Sequence, residues 1–100
     1  GAWTGAQDVS GAGFVESPKL GVDPAGNALV AWVDRTGPFR VRARYRTAAG
    51  GLGPLDTISA DGACCPRLDV AMAGDGTGIV TWDQYASINQ GFVQASFPKN

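Results

Sequence analysis

Short runs of apolar residues, set at the spacing of strands and parted by Gly- and Pro-containing turns, dominate the chain. Leu20 and Val22 alternate with Lys19 and Gly21, which predicts a first strand over Leu20 to Asp23. The turn Pro24-Ala25-Gly26 suits a tight hairpin. Asn27 to Val33 follows as a nearly continuous apolar run, expected of a strand covered on both faces. A third strand is expected over Phe39 to Thr47 and a fourth, after Gly50-Gly51, over about Leu55 to Ser59. The pattern then recurs as Leu68 to Ala71, Gly78 to Trp82 and Phe92 to Phe97. The missing fourth member is expected at the other end of the chain, at about Ala6 to Ser10.

The recurrence extends to the residues themselves. Pro18-Lys19-Leu20-Gly21-Val22 matches Pro66-Arg67-Leu68-Asp69-Val70, and Asn27-Ala28-Leu29-Val30-Ala31-Trp32 matches Thr77-Gly78-Ile79-Val80-Thr81-Trp82. Val41 to Tyr45 matches Val93 to Phe97, and Asp8-Val9-Ser10 matches Thr57-Ile58-Ser59. Residues 1–100 therefore form a single two-repeat unit, repeat one spanning about 1–49 and repeat two about 50–100. Four antiparallel strands per repeat is the signature of a β-propeller blade, with a β-sandwich as the competing all-β fold. The expected fold is thus all-β, two four-stranded antiparallel blades, with the N-terminal strand completing a blade across the chain ends. Two blades cannot close a ring that needs about four to eight. Oligomerisation would close it, and a homotrimer of six blades is the favoured assembly, unless the chain is a slice of a larger propeller.

Composition agrees with this and narrows the chemistry. Gly is abundant at 15 residues, Pro adds 6, and Glu16 is the single Glu, as suits strands and turns rather than helices. A net charge of -1 argues against nucleic-acid binding. The chain contains no His, the commonest general base and metal ligand. No apolar run reaches the roughly 20 residues of a membrane span. The chain begins at Gly1 and shows no leader, so excision or processing from something longer is expected.

The run from Pro18 through Asp23 and Gly26-Asn27 to Trp32 resembles the blades of secreted bacterial propellers with Asp-box, sialidase-type register. In such blades the strand beginning at Pro is innermost, a Trp ends the second strand, and a Gly-rich turn joins strands three and four. Read across the chain ends, Ser96, Pro98, Asn100 and Trp3 stand at the spacing of that turn motif, without its Asp and Gly. The resemblance implies a secreted, extracellular bacterial protein and implies fold more than function.

Candidate chemistry is sparse. Arg40, Arg42, Arg44 and Arg46 share one strand face, either as a basic stripe for an acidic partner, or as a solvated outer face or ion-pair partners of Asp residues on an adjoining strand. Trp32 and Trp82 are equivalent and suit packing between blades or stacking on sugar rings, and Trp3 stands at an outer turn. Cys64 and Cys65 are adjacent. A strained vicinal disulfide, pairing with another protomer and two free thiols are all open, the first being favoured in a secreted protein. The Gly74-Asp75-Gly76-Thr77-Gly78 loop reads as a hairpin rather than a calcium loop, and neither metal nor cofactor is expected.

Two loop types should share one end of the ring: Gly11 to Ser17 with Ala60 to Cys65, and Asp34 to Pro38 with Asp83 to Gln90. They carry Glu16, Asp34 and Arg35 in one repeat, and Asp83, Gln84, Tyr85 and Asn89 in the other. This inventory suits sugar hydroxyls and ring faces. The expected function is a non-enzymatic, lectin-like carbohydrate-binding protein. The alternatives are a structural or protein-interaction propeller fragment and a sialidase-like glycosidase remnant.

Overall fold

The computed structural model describes residues 6–60, 67–87 and 90–96, with the backbone alone at 84–87 and 90–96. The described residues form two antiparallel sheets and no helix. The first is a four-stranded meander, β1 (Val15–Val22), β2 (Ala28–Asp34), β3 (Arg40–Arg46) and β4 (Asp56–Thr57), in that spatial order. The second contains β5 (Leu68–Met72), β6 (Gly78–Ser87) and β7 (Gln90–Ser96), again in chain order.

The register sorts the side chains of the first sheet cleanly. Leu29, Ala31 and Val33 stand opposite Tyr45, Ala43 and Val41 and share one face. Ala28, Val30, Trp32 and Asp34 stand opposite Arg46, Arg44, Arg42 and Arg40 and share the other. In the second sheet Leu68, Val70 and Met72 face the same way as Trp82, Val80 and Gly78, whereas Asp69 and Ala71 share the opposite face with Thr81 and Ile79. The two sheets meet through the Leu29–Val41 face of one and the Leu68–Trp82 face of the other. Leu29, Ala31, Val33, Val41, Ala43, Leu68, Val80 and Trp82 form the buried core, with Phe39, Tyr45, Ile58, Val70 and Met72 packed around it. β2 is buried along nearly its whole length, as its unbroken apolar run requires.

Two glycines set the distance between the sheets. A Cβ at Gly21 would lie 3.1 Å from Val70 Cγ1 and 3.2 Å from Met72 Cγ, so its lack of a side chain brings β1 close to β5. A Cβ at Gly78 would run into Leu29 Cδ2 and stand 3.0 Å from the Tyr45 hydroxyl. Burial pushes the Tyr45 phenol above its ordinary pKa, against an opposing hydrogen bond with the Gly78 backbone.

The structure departs from the sequence expectations in three places. β1 begins at Val15 rather than Leu20, because a bulge between Glu16 and Lys19, with Ser17 at φ 56°, carries the strand past Pro18 in a broken register. β6 runs on to Ser87 rather than ending at Trp82, since Asp83, Gln84 and Tyr85 pair with Val93, Phe92 and Gly91 across the hairpin. Ala6 to Ser10 forms no strand, and the second sheet has three described strands rather than four. Instead of joining a ladder, this segment lies on the arginine face of the first sheet. Gln7 Nε2 donates to the Gly50 carbonyl at 3.1 Å, and Arg44 donates to the Val9 carbonyl at 3.2 Å.

Candidate functional site

The turns that precede β2 and β6 are built by local chemistry. Asp23 accepts from the Asn27 amide at 2.9 Å and from Asn27 Nδ2 at 3.1 Å, while Gly26 takes φ 92°. The Asn27 side-chain bond holds the Asp23 carboxyl below its ordinary pKa, against the opposing pull of burial. The Gly74–Gly78 loop is likewise a hairpin turn: Thr77 N–H donates to Asp75 Oδ1 at 2.9 Å and Ala73 N–H to the Thr77 carbonyl at 2.8 Å.

The opposite end of the first sheet gathers three of the residues singled out from sequence. Glu16 and Asp34 stand on strands rather than in loops, β1 and β2 both being longer at this end than expected. Arg35 N–H donates to the Phe14 carbonyl at 2.6 Å, and Phe14 N–H donates to the Thr36 hydroxyl at 3.1 Å. These bonds fasten the entry of β1 to the exit of β2. Gly13 is needed at the contact, because a Cβ there would lie 2.7 Å from Thr36 Oγ1.

Asp34 is buried and its oxygens are occupied. Oδ1 accepts from the Thr36 amide at 2.9 Å, and Oδ2 accepts from Arg42 at 3.3 Å and Arg40 at 3.5 Å. The bonds to Thr36, with the two guanidiniums, hold its carboxyl below the ordinary value of 3.8 despite burial. The basic stripe is therefore engaged within the chain. Arg44 also donates to the Gly53 carbonyl at 2.6 Å, and Arg46 to Gln7 Oε1 at 3.0 Å.

A depressed carboxyl contributes stability that is complete above its unfolded pKa and is lost as pH falls through the folded one. Acid titration should accordingly show stability falling below about pH 3.8, with a shallower fall in Asp34→Asn. At neutral pH, Asp34→Ala removes the acceptor shared by Arg40, Arg42 and Thr36 and should lower stability by about 2 kcal/mol in urea unfolding.

Glu16 and Arg35 are the accessible members of this end. Their ion pair at 3.2 Å joins side chains 40% and 49% exposed, so it adds little to stability and both groups remain open to a ligand. The Arg35 guanidinium sits 5.1 Å from the Phe39 ring centroid, which orients it. Beside them Phe14 is 74% exposed. No motif in the sequence marks Phe14 as exposed, since it stands next to the apolar Val15 that opens β1.

Among the described residues the second sheet does not repeat this patch. Arg67 pairs with Asp83 at 3.0 Å over a shallow surface bounded by Asp69 and Thr81, and the repeat counterpart of Arg67 is Lys19. Gln84 and Tyr85 stand in β6 rather than in a loop, while Asn89, Cys64, Cys65 and Trp3 lie outside the described residues. Trp82 is buried between the sheets, and Trp32 is buried on the arginine face beside residues 7–10. Among the described residues no cluster of three or more Cys, Asp or Glu is placed to hold a metal ion, and no helix is long and apolar enough to cross a membrane. No protein-family model, curated protein or solved structure matches the chain.

Proposed function

We propose that the chain is a non-enzymatic carbohydrate-binding protein, a lectin-like β-propeller assembled from two-blade protomers, with a homotrimer of six blades as the closed ring. The observation that carries the binding reading is the patch of Phe14, Glu16 and Arg35 at one end of the first sheet. An exposed aromatic ring offers a face for a sugar ring, and the neighbouring carboxylate and guanidinium supply an acceptor and donors for its hydroxyls. The hydrogen bonds from Phe14 to Arg35 and Thr36 hold the patch in place before a ligand arrives. Two stacked meanders built from one sequence repeat support the propeller architecture. A ring would present the patch several times, so weak single-site affinity would add up on a branched or clustered glycan.

A glycan array followed by calorimetry tests the binding. The expected result is a saccharide ligand whose affinity falls about tenfold, ~1.4 kcal/mol, in Phe14→Ala. Phe14 is mostly exposed, so the substitution should leave the unfolding midpoint unchanged. A blank array with folded protein would contradict the carbohydrate reading.

A further inference from the structure

The contact between the two sheets is directional. It joins two different surfaces, the Leu29–Val41 face of the first sheet and the Leu68–Val70–Val80–Trp82 face of the second. By the sequence repeat, the first sheet carries its own version of the latter surface: Leu20, Val22, Val30 and Trp32, with Ala28 in the place of Gly78. The second sheet carries its own version of the former, with Ile79 and Thr81 in the places of Leu29 and Ala31. Each sheet thus leaves part of this surface uncovered where its counterpart buries it, although Trp32 and Ala28, at 3% and 8%, are already covered in the single chain. Leu20 is 61% exposed, Val22 56% and Ile79 39%, against 6% for Leu68 and 0% for Leu29.

Resting on the two-blade reading, we infer that the arginine face of the first sheet is the docking surface for the second sheet of another copy of this chain, joined head to tail by the contact already seen within one chain. A contact between two different surfaces propagates from copy to copy, and a ring is its closed form.

Three further observations converge on that face. First, the buried donors Trp32 Nε1, Arg40 Nε and Arg42 Nε have no acceptor among the described residues, and all three belong to it. Buried donors of this kind call for a partner. Second, charge is complementary. The face carries four arginines, of which Asp34 pairs Arg40 and Arg42, and the surface that would meet it carries Asp69.

Third, residues 7–10 already lie there, bounding a cleft of about 390 Å³ with Val15, Glu16, Pro18, Val30 and Trp32. Their counterparts, residues 56–59, supply the fourth strand of the first sheet. Ile58 N–H donates to the Val41 carbonyl at 2.9 Å, and Val41 N–H to Ser59 Oγ at 2.7 Å. Val9 and Ser10 are the counterparts of Ile58 and Ser59, and Val93 of Val41. Residues 7–10 are therefore the fourth strand of the incoming sheet, held in position by Arg44 and Arg46. β7 of the second copy fits beside them, with Val93 taking the role of Val41. The edge of β7 away from β6 has no ladder partner among the described residues.

Sedimentation equilibrium of the chain and of two single variants, Val22→Asp and Ile79→Asp, tests the inference. Both positions are exposed, so each variant should keep the wild-type circular dichroism. The wild type should have a mass that is a multiple of 10.3 kDa, and each variant alone should drop to 10.3 kDa. Mixing the two variants should give a dimer and nothing larger, since one intact surface remains on each partner. A wild type at 10.3 kDa, an Ile79→Asp variant that still assembles, or a mixture that stays at protomer mass would each overturn the docking surface. A small ligand rather than a second copy in the cleft would appear as the first of these. Glu16 borders both the cleft and the sugar patch, whereas Phe14 does not line the cleft, so Phe14→Ala reads the sugar patch and Val22→Asp the docking surface.

Discussion

Trp82→Ala should lower the stability of the chain by about 4 kcal/mol, read as a shift of the urea midpoint at unchanged slope. The side chain is 4% exposed and belongs to the cluster that holds the two sheets together. Removing the indole takes away the largest apolar surface in that contact and leaves a cavity between two rigid sheets, which have little freedom to close it. A domain of this size has about 5–15 kcal/mol in total, so the variant should be partly unfolded at room temperature. A loss below about 1 kcal/mol would mean that the sheets do not pack through Trp82.

Leu29→Ala should cost about 3 kcal/mol, because Leu29 is fully buried and packs at the point of closest approach to β6. Its partner in that contact is Gly78, and the two positions should be coupled. Gly78→Ala in the wild type forces a methyl into the Leu29 tip and against the Tyr45 hydroxyl, at a cost of about 2 kcal/mol. Once Leu29 is Ala the same methyl enters vacated space. The double variant should therefore be more stable than the sum of the two losses by about 1 kcal/mol. Strict additivity in the double-mutant cycle would place Leu29 and Gly78 apart.

Which parts of this could be read from the chain depends on how local each cause is. The middles of β2, β3, β5 and β7 and the C-terminal end of β1 were legible, because alternation or an unbroken apolar run is written into adjacent residues. The start of β1 and the end of β6 were not. Val15 to Ser17 belong to β1 only because a bulge absorbs Pro18, and Asp83 to Ser87 extend β6 only because β7 lies opposite them. Both causes sit on another strand.

The same distinction holds at the site. That the four arginines share a face follows from a spacing of two. That Arg40 and Arg42 share the Asp34 carboxylate follows from the register of β2 against β3, which no single segment contains. Asp34, a candidate ligand group by residue type, is thereby an internal acceptor, while Phe14, with no distinguishing neighbours in sequence, stands open at the tip of a pinned loop. Ala6 to Ser10 has the sequence of a strand but forms no ladder, its backbone carbonyl at Val9 being held by Arg44 on the face of the first sheet.

The central claim is that the two repeats stack as sheets, the Leu68–Trp82 face on the Leu29–Val41 face. Nuclear Overhauser contacts in solution test it most directly. Cross-peaks from the Gly21 α-protons to the Val70 methyls, and from the Leu29 methyls to the Gly78 α-protons, are predicted alongside the ordinary ladder contacts of β1 with β2. A spectrum with the ladder contacts intact and neither inter-sheet cross-peak would contradict it.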